Sequence, residues 1–233
     1  MDVKKVLRVA RHALVWGPWG VGKTRLGQEV CGEDALQVYI NEDVSTQELF
    51  GHYVPEGAQF RWHDGPLTDA FRLGKGVVVN ELHKASSEVL VAMLGLLDDP
   101  LVAKLTLPTG ETVRVREGFK VVATSNEPPD VLDEALVDRF DAIVEIKAPM
   151  SGVIAAIRMM DDAMATVIQN SYEDPSRAIS PRRAFAWHRM KKSGLTSKQA
   201  LEAAFGDQAQ DVGMALKALT TEWTETLTDE EEI

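Results

Sequence analysis

The hydrophobic and polar positions of this chain fall into two regimes divided near Pro149. Before it, short apolar runs alternate with stretches of helical spacing. His12-Ala13-Leu14-Val15-Trp16 reads as a buried strand, and Leu36 to Ile40 alternates enough to be a second. Gly76-Val77-Val78-Val79-Asn80-Glu81 and Phe119 to Asn126 are apolar runs with polar ends, as expected of strands buried on both faces. Ala142 to Ile146 makes a fifth strand. Residues 1–11 read as a lead-in helix or arm, with Val3, Val6, Leu7 and Ala10 at helical spacing. Arg25 to Val30, Gln47 to Phe50, Leu67 to Leu73, Ser86 to Asp98 and Asp133 to Asp138 read as further helices. The longest carries Val89, Leu90, Met93, Leu96 and Leu97 as its apolar stripe. Two insertions read as hairpins: Tyr53 to His63, and Leu101–Leu107 with Glu111–Arg116 around Pro108-Thr109-Gly110. Strands separated by helices predict an α/β fold with a doubly wound, mainly parallel five-stranded sheet. Beyond Pro149 the pattern is all helical, over 151–170, 180–193, 197–206 and 210–226, with a loop from Asn170 to Arg177. The expected organisation is an α/β core over 1–147, a small all-α lid over 148–227 and an acidic tail over 228–233.

Composition narrows the classes of function. Hydrophobic residues make up 45% of the 233 and charged residues 26%, the balance of ordinary globular material. A net charge of −11 argues against a protein that binds DNA through bulk charge, while leaving room for a local basic patch. The single cysteine, Cys31, precludes an intrachain disulfide and points to a cytosolic, cytoplasmic setting. No apolar run is long enough to span a bilayer, and the N-terminus lacks the apolar block of a signal peptide.

Candidate chemistry starts at Gly17-Pro18-Trp19-Gly20-Val21-Gly22-Lys23-Thr24, which fits the phosphate-cradling pattern G-x-x-x-x-G-K-[ST]. The expected strand before it and helix after it are the context that the pattern requires. Glycines allow backbone N–H groups to turn inward, and these with the helix N-terminus bind polyphosphate. Lys23 would reach the β- and γ-phosphates and Thr24 would hold Mg²⁺.

Four further stretches join this loop in order: Asn80-Glu81, Asn126, Arg139-Phe140, and Ser180-Pro181-Arg182. The ordered set resembles an AAA+ ATPase of the P-loop NTPase class. More narrowly it is similar to the MoxR-like, dynein-related branch that includes the CbbQ and NorQ proteins. Glu48-Leu49-Phe50-Gly51, Asp64-Gly65-Pro66-Leu67, Val77 to Leu82, Leu105-Thr106-Leu107-Pro108, Phe119 to Asn126 and Leu136-Val137-Asp138-Arg139-Phe140 carry that narrower likeness, which is close over 12–147. The resemblance implies that ATP is bound by Gly17, Pro18, Trp19, Gly20, Val21, Gly22, Lys23, Thr24 and Arg25, with Arg182 as sensor 2 on the lid. It implies that Glu81 polarises the attacking water and that Asn126 is sensor 1. Arg139 would be the arginine finger, acting on ATP in a neighbouring subunit; an intrachain pair with Asp138 or Asp141 is the alternative. Arg183 has the same chemistry as Arg182.

The sequence departs from the family pattern at Asn80, where the residue before the catalytic Glu is usually a Mg²⁺-binding Asp. Thr24 and Asn80 are therefore the candidate metal-site residues, Asn80 through its neutral carbonyl oxygen. Trp19 stands where the family usually has a small residue or proline, and either packs beside the nucleotide or a neighbouring subunit or makes ordinary packing contacts. Both hairpins match insertions that project towards the pore of a ring. Tyr53, Phe60 and Trp62 are candidate client contacts or packing residues of their own domain. The resemblance implies a homo-oligomer, expected to be a hexameric ring. That ring would remodel or activate a client protein, often one with a von Willebrand factor A domain. The alternatives are an ATP-gated assembly scaffold with very slow hydrolysis, because of Asn80, and a DNA-directed motor, which the acidic balance disfavours.

Overall fold

The computed structural model of the chain describes residues 2–220. Its contacts divide it into two units. One holds Lys23–Ile146 and the segment before Trp19; the other holds Trp19–Gly22 and the chain after Ile146.

In the first unit, α1 (Val3–Val9) is capped by Asp2, which accepts from the Lys5 amide, and leads into β1 (His12–Trp16). The glycine loop follows, then α2 (Lys23–Cys31), β2 (Leu36–Tyr39) and α3 (Thr46–Phe50). Ser45 and Glu48 close a capping box on α3, satisfying two end amides reciprocally. Next come the hairpin of β3 (Gly51–Glu56) and β4 (Gln59–Asp64), α4 (Pro66–Leu73) and β5 (Gly76–Asn80). Pro66 opens α4 and Gly74 closes it at φ 70, where a Cβ would be strained. A 3₁₀ turn over Leu82–Lys84 precedes α5 (Ser87–Leu97), which Ser86 caps. Strands β6 (Lys104–Thr106) and β7 (Thr112–Arg114) form the second hairpin. Then come β8 (Lys120–Ser125), α6 (Glu134–Val137) and β9 (Ala142–Glu145).

The sheet order is β2-β5-β8-β1-β9, with all strands parallel. The α/β reading and the five core strands are therefore seen directly. Pairing of Trp16 with Ser125 and of Val79 with Ala123 brings the carboxyl ends of β1, β8 and β5 level. Leu14, Phe71, Val77, Val79, Met93, Leu96 and Val121 are fully buried around the sheet. The second hairpin is shorter than expected. Asp99 captures the amides of Val102 and Ala103 on its carbonyl and that of Leu101 on its carboxylate, so the chain turns there instead of extending.

The second unit packs α7 (Ser151–Arg158), α8 (Asp162–Ser171), α9 (Pro181–Lys192), α10 (Ser197–Phe205) and α11 (Ala209–Leu219) around Ile157, Met164, Ile168, Trp187 and Phe205. The single helix expected over 151–170 is two. Asp161 is extended at φ −163 and accepts from the Met164 amide, so it caps a new helix where its side chain competes with the backbone. The last helix, expected to reach 226, is followed here to Leu219; positions 221–226 and the acidic tail lie outside the described residues.

Candidate functional site

The loop after β1 starts with a close approach. Gly17 has φ 141, and a Cβ there would lie 2.2 Å from the Ile146 carbonyl oxygen, so only glycine fits. Lys23, the first residue of α2, is buried. Its ammonium donates to the carbonyls of Gly17 at 2.7 Å and Pro18 at 2.8 Å and to Asn126 Oδ1 at 2.7 Å. A buried ammonium needs such oxygens, and phosphate oxygens are better partners for it than carbonyls. The loop tip groups with the helical unit: Met150 N donates to Val21 O, and a Cβ on Gly20 (φ 79) would meet Ser180 Oγ at 2.6 Å. Gly22 also has positive φ. Trp19 is 64% exposed, so its ring is not a core residue of this chain. Arg25 is exposed on α2.

Thr24 Oγ1 donates to Asn80 Oδ1 at 2.6 Å. Asn80 is 1% exposed, and its Nδ2 donates to the Val38 carbonyl of the adjoining strand at 3.2 Å. That bond fixes the amide flip, leaving the carbonyl oxygen on the Thr24 side. A carboxylate at this position would set an oxygen against Val38 O. Two neutral oxygens side by side are weaker partners for Mg²⁺ than a hydroxyl beside a carboxylate, so more of its shell would fall to phosphate and water. No cluster of three His, Cys, Asp or Glu able to hold a metal ion occurs among the described residues.

Glu81 follows β5 with φ 61, the one positive-φ residue other than glycine among the described residues. Holding a side chain there costs about 1–2 kcal/mol. The turn is fixed by Lys84 N donating to Glu81 O at 2.9 Å. The Glu81 carboxylate accepts from Asn126 Nδ2 at 2.6 Å and lies 3.4 Å from Lys84 Nζ. Asn126 thus bridges Lys23 and Glu81 with the two ends of its amide. Two residues not singled out from the sequence stand beside this carboxylate: His83, whose Nε2 is 3.7 Å from it, and Ser125, whose hydroxyl is 3.2 Å from His83 Nδ1. Their only signal was their place at the polar ends of two apolar runs.

Arg139 lies at the other end of the sheet, just before β9. Its Nε donates to Asp98 Oδ1 at 2.9 Å and its Nη1 to the Ala135 carbonyl at 2.6 Å; the side chain is 30% exposed. The alternative pairing with Asp138 or Asp141 is corrected by this geometry. Asp141 Oδ2 instead accepts the backbone N–H groups of Arg11 and His12 at 2.7 and 3.2 Å. The run of β1 from His12 to Trp16 separates this end from the glycine loop, about 16 Å of extended chain. Close by, Arg11 Nη1 and His12 Nδ1 are buried without a hydrogen-bond partner. Burial lowers the pKa of His12 to about 4, against the raising effect of Asp141.

In the helical unit, Pro181 opens α9 and Arg182 is exposed on its first turn. Arg183 Nη1 donates to Phe205 O at 2.7 Å and Gln208 Oε1 at 3.1 Å, so it is engaged in the fold. On the first hairpin, Trp62 packs edge-on to Tyr53 at 5.4 Å and donates Nε1–H to Asp64, whereas Phe60 is 71% exposed.

Comparison with known proteins gives concordant results. The family described as AAA domain (dynein-related subfamily) matches residues 12–140. Protein NorQ of Paracoccus denitrificans is 34% identical over 116 residues, 48% of this chain and 43% of NorQ. Denitrification regulatory protein NirQ of Stutzerimonas stutzeri is 27% identical over 227 residues, 88% of this chain and 81% of NirQ. The match therefore spans less than half the length of NorQ. The crystal structure of NtrX from Brucella abortus aligns with 99% of this chain and 51% of its own at a TM-score of 0.53 and 15% identity, a likeness of fold.

Proposed function

Because the chain belongs to the dynein-related AAA family, as a MoxR-like relative of NorQ and NirQ, we propose that it binds ATP with Mg²⁺ and hydrolyses it, and that a ring of its copies remodels or activates a partner protein. The observation that carries the reading is the bonded series Lys23–Asn126–Glu81 at the carboxyl ends of neighbouring strands. In an open α/β sheet, ligands bind at such strand ends.

In this reading Lys23 exchanges its loop carbonyls for the β- and γ-phosphate oxygens. Asn126 then donates to the γ-phosphate and accepts from a water. Glu81 takes a proton from that water as its oxygen bonds to the γ-phosphorus and the bond to the β–γ bridging oxygen breaks. Mg²⁺, when bound beside Thr24 and Asn80, neutralises charge on the phosphates. Arg139 supports a role on the adjoining copy, since its own glycine loop lies at the opposite end of β1. To act there it must exchange Asp98 and Ala135 O for phosphate oxygen. Arg182 is the better candidate for sensor 2 because Arg183 is engaged with Phe205 and Gln208. We read the helices after 148 as the lid and the two hairpins as pore elements, with Phe60 the most exposed client contact. The name of NirQ, a regulatory protein, supports action on another protein. A client with a von Willebrand factor A domain rests on the family resemblance alone.

The test is Mg²⁺-dependent phosphate release by the purified chain and by Lys23→Ala, with sedimentation in a non-hydrolysable ATP analogue. Hydrolysis lost in the variant and a ring with the analogue support the reading. Turnover that ignores Lys23→Ala, or a monomer at all concentrations, rejects it. The neutral Asn80 favours a second reading, a scaffold that binds ATP and turns it over very slowly. A large gain in turnover with Asn80→Asp supports the scaffold, and little change supports the remodeller.

A further inference from the structure

His83 stands on the 3₁₀ turn after Glu81, with a side chain only 11% exposed. Its Nδ1 is 3.2 Å from Ser125 Oγ, and its Nε2 is 3.7 Å from Glu81 Oε2. The hydroxyl of Ser125 decides where the imidazole proton sits. Ser125 Oγ lies 2.6 Å from the Glu127 carbonyl oxygen, and between two oxygens only the hydroxyl can donate. Its one proton is therefore committed. It also accepts from the Glu127 amide at 3.0 Å, which leaves one lone pair facing His83. His83 must donate from Nδ1, so the neutral ring presents a bare Nε2 to the carboxylate. A lone pair facing a carboxylate at 3.7 Å makes no hydrogen bond.

We propose that His83 is a positioning residue for Glu81: neutral, it leaves the carboxylate to Asn126 and water, and with a second proton on Nε2 it captures the carboxylate and stops hydrolysis. The proposal rests on the reading that Glu81 polarises the attacking water. The charged groups around the ring are Glu81 and Lys84 on its own element, Lys23 on α2, and Glu127 beyond β8. Burial is the largest influence and lowers the His83 pKa; Glu81 and Glu127 raise it, and Lys84 and Lys23 lower it. The ring is therefore neutral at pH 7, and the capture falls on the acid side.

Two measurements on the full chain test this. The first is the ¹⁵N–¹H spectrum of the imidazole through a pH titration. The expected result is the Nδ1–H tautomer and a midpoint below the ordinary histidine value, moving lower still in Glu81→Gln. An Nε2–H tautomer, or a midpoint indifferent to Glu81→Gln, overturns the proposal without any appeal to hydrolysis. The second is kcat for ATP from about pH 5.5 to 8.5. His83→Asn keeps a donor for Ser125 and lacks Nε2; it should lose the acid limb seen in the unaltered chain, with KM changed less than about twofold. An acid limb that survives in His83→Asn sinks this proposal alone. Absence of turnover in the unaltered chain at every pH rejects the hydrolase reading and this one with it, while the spectrum still reports the tautomer.

Discussion

The two ends of the parallel sheet handle buried polar groups in opposite ways. At the carboxyl end, Lys23, Asn126 and Glu81 are bonded in one series and Thr24 with Asn80 in another, the two meeting at the Thr124 hydroxyl. At the amino end, His12 Nδ1 and Arg11 Nη1 are buried without a partner, and Arg139 is tied to Asp98. A mutually bonded cluster on strand ends is held by the sheet before any ligand arrives, and such preorganisation lets dipoles act on developing charge at little reorganisation cost. The amino end's short bonds around Arg11 and His12 run from side chain to backbone, with Asp141 accepting both amides and pairing with the Arg11 guanidinium only at 3.9 Å. Its histidine packs edge-on to Phe119 at 5.7 Å and is kept neutral by burial. One end is a bonded cluster of charged and amide groups; the other is packing plus an arginine tied to Asp98.

The largest expected effect sharpens that contrast. On the proposed reading, in which the arginine serves a neighbouring copy, Arg139→Ala should reduce kcat by about 10³–10⁵-fold while nucleotide affinity stays near its original value. Phosphate release and binding of a fluorescent ATP analogue measure the two; a parallel loss of affinity would place the arginine at its own subunit's nucleotide instead. Next, Glu81→Gln should lower kcat by about 10²–10⁴-fold with ATP still bound, the range for removing a general base. Turnover within a few-fold of the original would show that the carboxylate does no proton transfer.

At the amino end the expected effect is on stability. His12 in the folded chain titrates at about 4, against an ordinary 6.5. As pH falls below 6.5 the unfolded chain binds the proton first, so stability is complete above 6.5 and lost on the way down to about 4. The loss from this group is about 3 kcal/mol. His12→Phe should flatten the urea midpoint between those pH values and leave hydrolysis at neutral pH unchanged. Smallest, Asn80→Asp should cost about 1–3 kcal/mol in the metal-free protein, since Val38 O loses its donor. Urea unfolding with chelator and with Mg²⁺ would detect it, and a cost that Mg²⁺ does not reduce would count against metal binding at this position.

Much of the fold was legible because its signals are local. The valine run of β5 and the glycines of the loop after β1 can be read without knowing what lies beside them. The break in the helical stretch over 151–170 is hidden from the sequence for the converse reason. Asp161 breaks it by capping, and an Asp within an apolar stripe looks like a surface position until its backbone is seen. The extent of the second hairpin was lost to Asp99, whose hold on three following amides depends on a turn that no periodicity reveals.

The candidate site divides in the same way. The sequence by itself determined the residue types: a glycine loop ending in Lys23-Thr24, polar groups closing two buried strands, and an arginine before the fifth strand. Those follow from chain-local requirements of turns, burial and charge. Only the tertiary structure decided which groups touch. It alone set the amide of Asn126 between Lys23 and Glu81, turned the Asn80 carbonyl towards Thr24, gave Arg139 to Asp98, and brought His83 to Glu81. All of those contacts but the last, which lies within one turn, join different elements, and their geometry depends on strand order and register, which a linear pattern does not encode.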